Sequence, residues 1–396
     1  LAKEPGIHHL GIEGKPGWGI WVHRSEGRLL LITPVTDDNA EGALRLVEQY
    51  RSQLGGDSLG HILRASRRAY PAYMLADEDT WVEIEKEPVA NMALSPEESE
   101  VLLSARASEG AFPLFINGRA GSGKSTILQY LFADLLYYYL SSPGSQSMAP
   151  PVYLTANGEL LRVARSFVDR ILRNESAFRA NSDNDLLVNS QDILNEAFRE
   201  FQPHLLSMVD AATRHQRFAP SKRVDYSMFR RLWREWFGQD REAIRDFGPD
   251  ISWHVIRTYI KGMNSEVLME PDDYIQLPEN QITVTKSTFE KVFERVWEGR
   301  YSKISEAQGL WDDQDLARYV LEHNLVKPTH PAVLCDEAQD FTRIELELLL
   351  RLNLFSNRSI QPHDLSRVPF VFAGDQFQTL NPTGFRWDSI KAAFVE

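Results

Sequence analysis

The sequence predicts an α/β protein: a parallel sheet interrupted by a helical insertion and preceded by a small α+β unit. Three observations predict it. Short apolar runs alternate with helical patterns from residue 112 to 172 and return between 332 and 373, the order that builds parallel sheets. A glycine-rich turn joins the first of these runs to the helix after it. Between about 175 and 300 the pattern is mostly helical and rich in Arg and aromatic residues, which makes that stretch an excursion from the sheet.

The chain as a whole narrows the classes of function. Its 396 residues suffice for two or three domains, and 43% hydrophobic with 25% charged residues is a globular composition. No apolar run approaches the roughly 20 residues that span a bilayer, so no membrane partner is expected. The single Cys335 excludes an internal disulfide and a cysteine metal cluster and suits a reducing, cytoplasmic setting. A net charge of −13 argues against wholesale coating of nucleic acid, though not against a local basic groove. The chain begins at Leu1 rather than Met, so it reads as a fragment or a processed product.

Residues 1–91 form the α+β unit. Gly19–His23 and Arg28–Ile32 read as a hairpin around Ser25-Glu26-Gly27. Ala40 to Leu54 reads as an amphipathic helix, His61 to Arg68 as a shorter one, and Trp81–Ile84 as a strand. His8-His9 reads as a solvated terminal segment, because adjacent histidines point apart. This unit carries no catalytic constellation and is a candidate docking surface for a protein partner.

Residues 92–175 hold the first part of the sheet. Ser95-Pro96 with Glu98 opens a helix as cap, first helical residue and capping partner. Phe112–Asn117 is a buried strand, Thr126–Leu136 a helix, Pro151–Thr155 a second strand, and Glu159–Leu172 a second helix. Residues 176–299 are the helical insertion. Residues 300–396 return to the sheet through Ala332–Cys335 and Val368–Ala373.

Chemistry concentrates where strands end. Gly118-Arg119-Ala120-Gly121-Ser122-Gly123-Lys124-Ser125 fits G-x-x-x-x-G-K-S/T, and strand, turn and helix flank it as a phosphate-binding loop requires. Gly118, Gly121, Ser122, Gly123, Lys124, Ser125 and Thr126 are the candidate phosphate contacts, with Lys124 on the outer phosphates and Ser125 on Mg²⁺. Val333–Cys335 runs into Asp336-Glu337-Ala338-Gln339-Asp340. Asp336 is placed to hold Mg²⁺ through water, and Glu337 to polarise an attacking water. Ala373-Gly374-Asp375-Gln376-Phe377-Gln378 follows a third strand, with Gln378 as a sensor of the terminal phosphate.

These segments, in this order, resemble motifs I, II and III of superfamily 1 helicases of the UvrD/Rep type. Tyr153-Leu154-Thr155-Ala156-Asn157 resembles motif Ia, and Trp311-Asp312-Asp313-Gln314-Asp315-Leu316 resembles the acidic segment before motif II. Trp253–Gly262 is similar to a divergent UvrD-like branch. The resemblance covers about 92–396. It implies a first RecA-like domain, hydrolysis of ATP with Mg²⁺, and movement along single-stranded DNA, with RNA left open. It also implies strand contacts at Thr155 and Asn157, with Phe385 and Trp387 as stacking rings. Glu98 aligns where the family carries an adenine-reading Gln, and it can accept from the base but not donate to it. The family's second RecA-like domain has no counterpart in the 18 residues after Gln378, so the chain is expected to be part of a larger protein.

In the insertion, Arg214, Arg217, Lys222, Arg223, Arg230, Arg231 and Arg234 interleave with aromatic residues. That mixture suits single strands, although Phe229, Trp233, Trp236 and Phe237 fall at the spacing of a helix core. The rival function is a nucleotide-gated binding or signalling subunit that does not unwind nucleic acid. A kinase is disfavoured, because the carboxylate and Gln motifs suit water attack.

Overall fold

The computed structural model describes residues 6–11, 18–25, 28–36, 40–52, 98, 100–102, 112–119, 121–141, 149–178, 190–357 and 369–375. The chain divides into two compact units, Leu1–Ser99 with Arg173–Ser182, and Glu100–Leu172 with Asp183–Glu396.

The N-terminal unit holds three antiparallel strands in the order β1 (Gly6–Gly11), β2 (Gly19–Ser25), β3 (Arg28–Val35). The expected hairpin is present, with Ser25 opposite Arg28. Helix α1 (Ala40–Ser52) packs on β3 and buries Ala43 and Val47, one turn apart. His8-His9 is corrected from a terminal segment to a strand: both lie on β1, His8 half-buried opposite Val22 and His9 opposite Trp21, exposed as the solvated reading expects. The His9 and Trp21 rings are 5.1 Å apart. Gly-Ile-His-His-Leu-Gly has little alternation of its own, so pairing with β2 is what makes it a strand. The helix expected at 61–68 and the strand at 81–84 lie outside the described residues.

The second unit is built on five parallel strands: β4 (Leu114–Asn117), β5 (Val152–Thr155), β6 (Phe198–Glu200), β7 (Val333–Cys335) and β8 (Phe370–Gly374). Their spatial order is β4-β8-β7-β5-β6. The chain goes from β4 to β5 through helix α2 (Lys124–Ser141), skipping two places that β7 and β8 later fill. Asn117 pairs with Gly374, and Cys335 with Phe372 and Leu154. The loops after β4, β7 and β8 therefore open at one edge, the carboxyl edge where ligands of open parallel sheets bind.

Apolar strands and helices drive this layer. Val152, Leu154, Val333, Leu334, Val371 and Phe372 have no exposed surface; each such side chain contributes about 1.5–3 kcal/mol by leaving water. Helix α2 buries residues all round, from Ile127 through Leu136, as a helix inside a sheet layer does. Helix α3 (Gly158–Phe178) buries only one stripe, Ala164, Phe167, Val168 and Ile171. Strand β6 lies inside the span read as helical. Its three residues are too few to show a period, and it exists by pairing with β5. The helix after it, Phe201–Met208, sends Phe201 and Leu205 into the sheet core.

A separate aromatic core holds the helical subdomain. Phe229, Trp233 and Phe237 from Tyr226–Phe237 meet Phe247, Trp253, Tyr259, Tyr274, Phe289 and Tyr301. Asp225, Asp240 and Thr285 cap helices there with their side chains. Two segments, Val255–Ile260 and Val292–Tyr301, are π-helical. Each closes on an i→i−5 bond, Lys261 N–H to Ile256 O and Ser302 N–H to Trp297 O. After the first, a Cβ at Gly262 would stand 2.2 Å from Arg257 O, so only glycine fits. Among the described residues, no helix is long and apolar enough to cross a membrane.

Candidate active site

The loop after β4 turns into α2 through Gly121 and Gly123, at φ +74° and +79°, a region that side-chain-bearing residues avoid. Ser122 N–H donates to Arg119 O at 3.1 Å, which closes the turn. Lys124 is buried at the first turn of α2, and its Nζ donates to Arg119 O at 3.0 Å. Backbone amides and a helix N-terminus thus converge with one buried cation, the furnishing of an anion site.

Two motifs far apart in sequence meet here. Ser125 Oγ donates to Asp336 Oδ1 at 3.1 Å. Tyr153 OH donates to Asp336 Oδ2 at 2.7 Å, and Glu337 N–H to Asp336 Oδ1 at 3.0 Å. Asp336 N–H is itself held by Leu154 O at 2.9 Å. Burial and the neighbouring Glu337 push the Asp336 carboxyl above the usual carboxylate range, opposed by the Tyr153 and Ser125 hydroxyls. A hydroxyl beside a carboxylate is a hard-oxygen donor set that fits Mg²⁺. No group of three or more His, Cys, Asp or Glu stands ready for a metal among the described residues.

Glu337 stands next to this pair with φ +53°. A non-glycine residue in the left-handed region costs on the order of 1–3 kcal/mol and persists only where its surroundings enforce it. Here the enforcement is visible. Gln339 Nε2 donates to Glu337 Oε2, Gln339 Oε1 accepts from Asp375 N–H at 3.0 Å, and Asp340 N–H donates to Glu337 O at 2.9 Å. Gln339 therefore ties the loop after β7 to the loop after β8.

The helical subdomain also reaches this loop. Arg257 Nη2 donates to Asp340 O at 2.9 Å and to Glu345 Oε2 at 3.1 Å. The same Glu345 oxygen accepts from Thr342 N–H at 2.7 Å. Arg257 Nη1 and Asp340 Oδ1 are both shut from water and unpaired; each such atom costs about 1–3 kcal/mol.

The other sequence-predicted residues fall out unevenly. Gly118 and Thr126 flank the loop as expected in sequence. Thr155 is fully buried at the end of β5, and its Oγ1 accepts from Asn157 N–H at 3.3 Å. Asn157 is exposed, and its Oδ1 accepts from Glu159 and Leu160 N–H at 2.9 and 3.3 Å, the start of α3. Glu98 belongs to the N-terminal unit. Gln378, Phe385 and Trp387 lie outside the described residues.

The basic residues of the insertion divide by partner. Arg223 forks onto Asp313 at 3.0 and 3.1 Å, and the Arg217 guanidinium stacks 4.9 Å over the Tyr319 ring. Arg230, Arg231 and Arg234 instead line an open cleft of about 520 Å³ with Ser227 and Glu235. Phe229, Trp233 and Phe237 are buried, the core role that their spacing indicates, and Trp236 is half-buried against them.

Sequence reasoning missed Tyr153, Gln339 and Arg257. Tyr153 sits in an apolar strand and reads as packing. Gln339 lies inside a segment whose two leading carboxylates draw the attention. Arg257 has no local signal, because its partners follow more than eighty residues later. No protein-family model matches this chain, and no curated protein is significantly similar to it in sequence.

Proposed function

We propose that the chain is the nucleotide-hydrolysing part of a superfamily 1, UvrD-like helicase or translocase, a RecA-like domain that uses Mg-ATP to move on single-stranded DNA. One observation carries the reading: the Ser125 hydroxyl bonded to Asp336 at 3.1 Å, which joins the phosphate-loop motif to the strand-end carboxylates at the carboxyl edge of a parallel sheet.

The residues divide the chemistry. The loop amides and Lys124 bind the phosphates and offset their charge. Ser125 and Asp336 would hold Mg²⁺, which neutralises charge on the phosphate oxygens when bound. Glu337 accepts a proton from water as the water oxygen bonds to the terminal phosphorus. The bond from that phosphorus to the ADP oxygen breaks, and phosphate leaves. Gln339 orients Glu337 by holding one of its oxygens.

The test is phosphate release with Mg-ATP. Lys124→Ala is expected to lose tight nucleotide binding. Glu337→Gln is expected to keep binding and lose turnover by a hundredfold or so, the scale of general-base contributions. Equal turnover in wild type and Glu337→Gln overturns the assignment of the base.

A second reading has its own support. Thr155 is fully buried and Asn157 commits its Oδ1 to the first amides of α3, which narrows the groups left for strand contacts there and favours a nucleotide-gated binding subunit. Single-stranded DNA should strongly stimulate the ATPase of a motor and leave a switch unstimulated.

A further inference from the structure

Five of the six residues of the π-helical segment Val255–Ile260 are buried, four of them in the aromatic core; Arg257 is the exception. That one side chain leaves the subdomain and grips the loop that carries Glu337. The grip is short and continuous. Arg257 holds Asp340 O at 2.9 Å, and Asp340 N–H holds Glu337 O at 2.9 Å. A second hold fixes the far end of the same loop: Ile344 N–H donates to Gly262 O at 3.1 Å, just past the π segment. Between them, Glu345 accepts from both Arg257 and Thr342. The span from Glu337 to Glu345 is therefore strapped at both ends to one turn of the helical subdomain.

We infer that Arg257 is a positioning residue through which the helical subdomain holds Glu337 in its left-handed, water-activating pose. The inference rests on the ATPase reading above. The π turn makes the hold adjustable. A one-step change from i→i−5 to ordinary α-helical bonding would turn the segment about its axis and shift Arg257 relative to the loop. Anything that loads the helical subdomain, a bound strand included, thereby acts on the hydrolytic carboxylate without touching the nucleotide. The unpaired Arg257 Nη1 and Asp340 Oδ1 leave a second arrangement open to the pair, in which the guanidinium meets the carboxylate as well as the carbonyl.

Two measurements on the full chain test this. The first is steady-state hydrolysis by Arg257→Ala and Arg257→Lys. Loss of positioning lowers kcat roughly tenfold to a hundredfold and leaves KM for ATP within about twofold, with Lys partly restoring kcat. The second is amide exchange without nucleotide. Arg257→Ala should speed exchange over 337–345 and leave β4, β7 and β8 protected. Unchanged kcat with unchanged exchange overturns the inference. Faster loop exchange in a protein whose wild type does not hydrolyse ATP overturns the ATPase reading and leaves the strap standing. If Arg257→Ala loses protection throughout the sheet, Arg257→Lys decides by the same two readouts.

Discussion

Asp340 sits three residues past the candidate base with Oδ1 closed off from water. Burial, with the charge of Glu337 added and Arg257 opposing, pushes its carboxyl up to about 6. The native state then binds a proton that the unfolded chain, with an ordinary Asp, has already lost. Stability from this group is present at low pH and falls as pH rises through about 6. His204 acts in the opposite sense. Its Nε2 is buried without a partner, and burial, with His330 and Arg199 nearby, pushes its pKa down to about 4. The unfolded chain takes up that proton first, so stability falls as pH drops from the ordinary His range toward 4. The two slopes oppose each other in one window, each limited to about 1.4 kcal/mol per pH unit for one proton. In the wild type these two contributions offset each other. Asp340→Asn should lose stability toward acid more steeply than wild type, and His204→Gln should gain stability toward acid relative to it. Urea unfolding at pH 7, 6 and 5 reads both, and parallel profiles in all three proteins would show that neither group titrates as argued. The same scale explains which site residues were legible. Lys124, Ser125, Asp336 and Glu337 announce themselves by close spacing within their own motifs. Tyr153, Gln339 and Arg257 act through partners that folding brings to them.

Elements were legible in proportion to their own periodicity. Helix α2, strand β5 and strand β7 carry apolar patterns strong enough to be read alone. Strands β1 and β6 do not, and they form because a neighbouring strand offers its open edge. The π turns were illegible for a related reason: no local composition marks them, and Tyr259 and Tyr301 enter the same aromatic core as residues of ordinary helices do. An ion cluster also joins these turns to the Asp313–Glu322 helix, which packs on the sheet core. Lys261 Nζ lies 2.6 Å from Asp312 and 2.7 Å from Asp315, and Tyr301 OH donates to Asp312 at 2.9 Å. Burial alone would lower the Lys261 pKa, but the two carboxylates outweigh it and raise it. Asp312 and Asp315 also cap the Asp313–Glu322 helix, so the acidic segment read in the sequence works as a structural anchor. Lys261→Met strands a buried carboxylate and should cost about 3–5 kcal/mol. Tryptophan fluorescence during urea unfolding measures it, because Trp233, Trp253 and Trp297 surround this subdomain core. A cost under about 1 kcal/mol, as for exposed pairs, would mean that water reaches the cluster.

At the scale of the whole molecule, charge sets the problem that a strand-binding function must solve. The chain carries −13, so a polyanion is repelled on average and can bind only where positive charge is concentrated and unspent. Arg217 and Arg223 are already engaged with Tyr319 and Asp313. Arg230, Arg231 and Arg234 share one cleft on Tyr226–Phe237, whose opposite face is fixed in the aromatic core by Phe229, Trp233 and Phe237. Exchanging the three arginines for Gln should therefore leave the fold intact and change only the cleft. Each lost phosphate contact on a single strand removes about 0.7 from the slope of log affinity against log salt. The triple variant is expected to bind a labelled oligothymidylate roughly tenfold or more weakly at low salt, with a slope shallower by about 2. Nucleotide binding at the Ser125–Asp336 site should be unaffected. Fluorescence anisotropy from low to moderate salt separates the outcomes. Unchanged affinity and slope would make these arginines solvated surface and move the search for the strand's path to the other exposed cations, Arg214 first. Weaker binding with an unchanged slope would mean that the cleft is read by shape or hydrogen bonding, with no phosphate charge neutralised there.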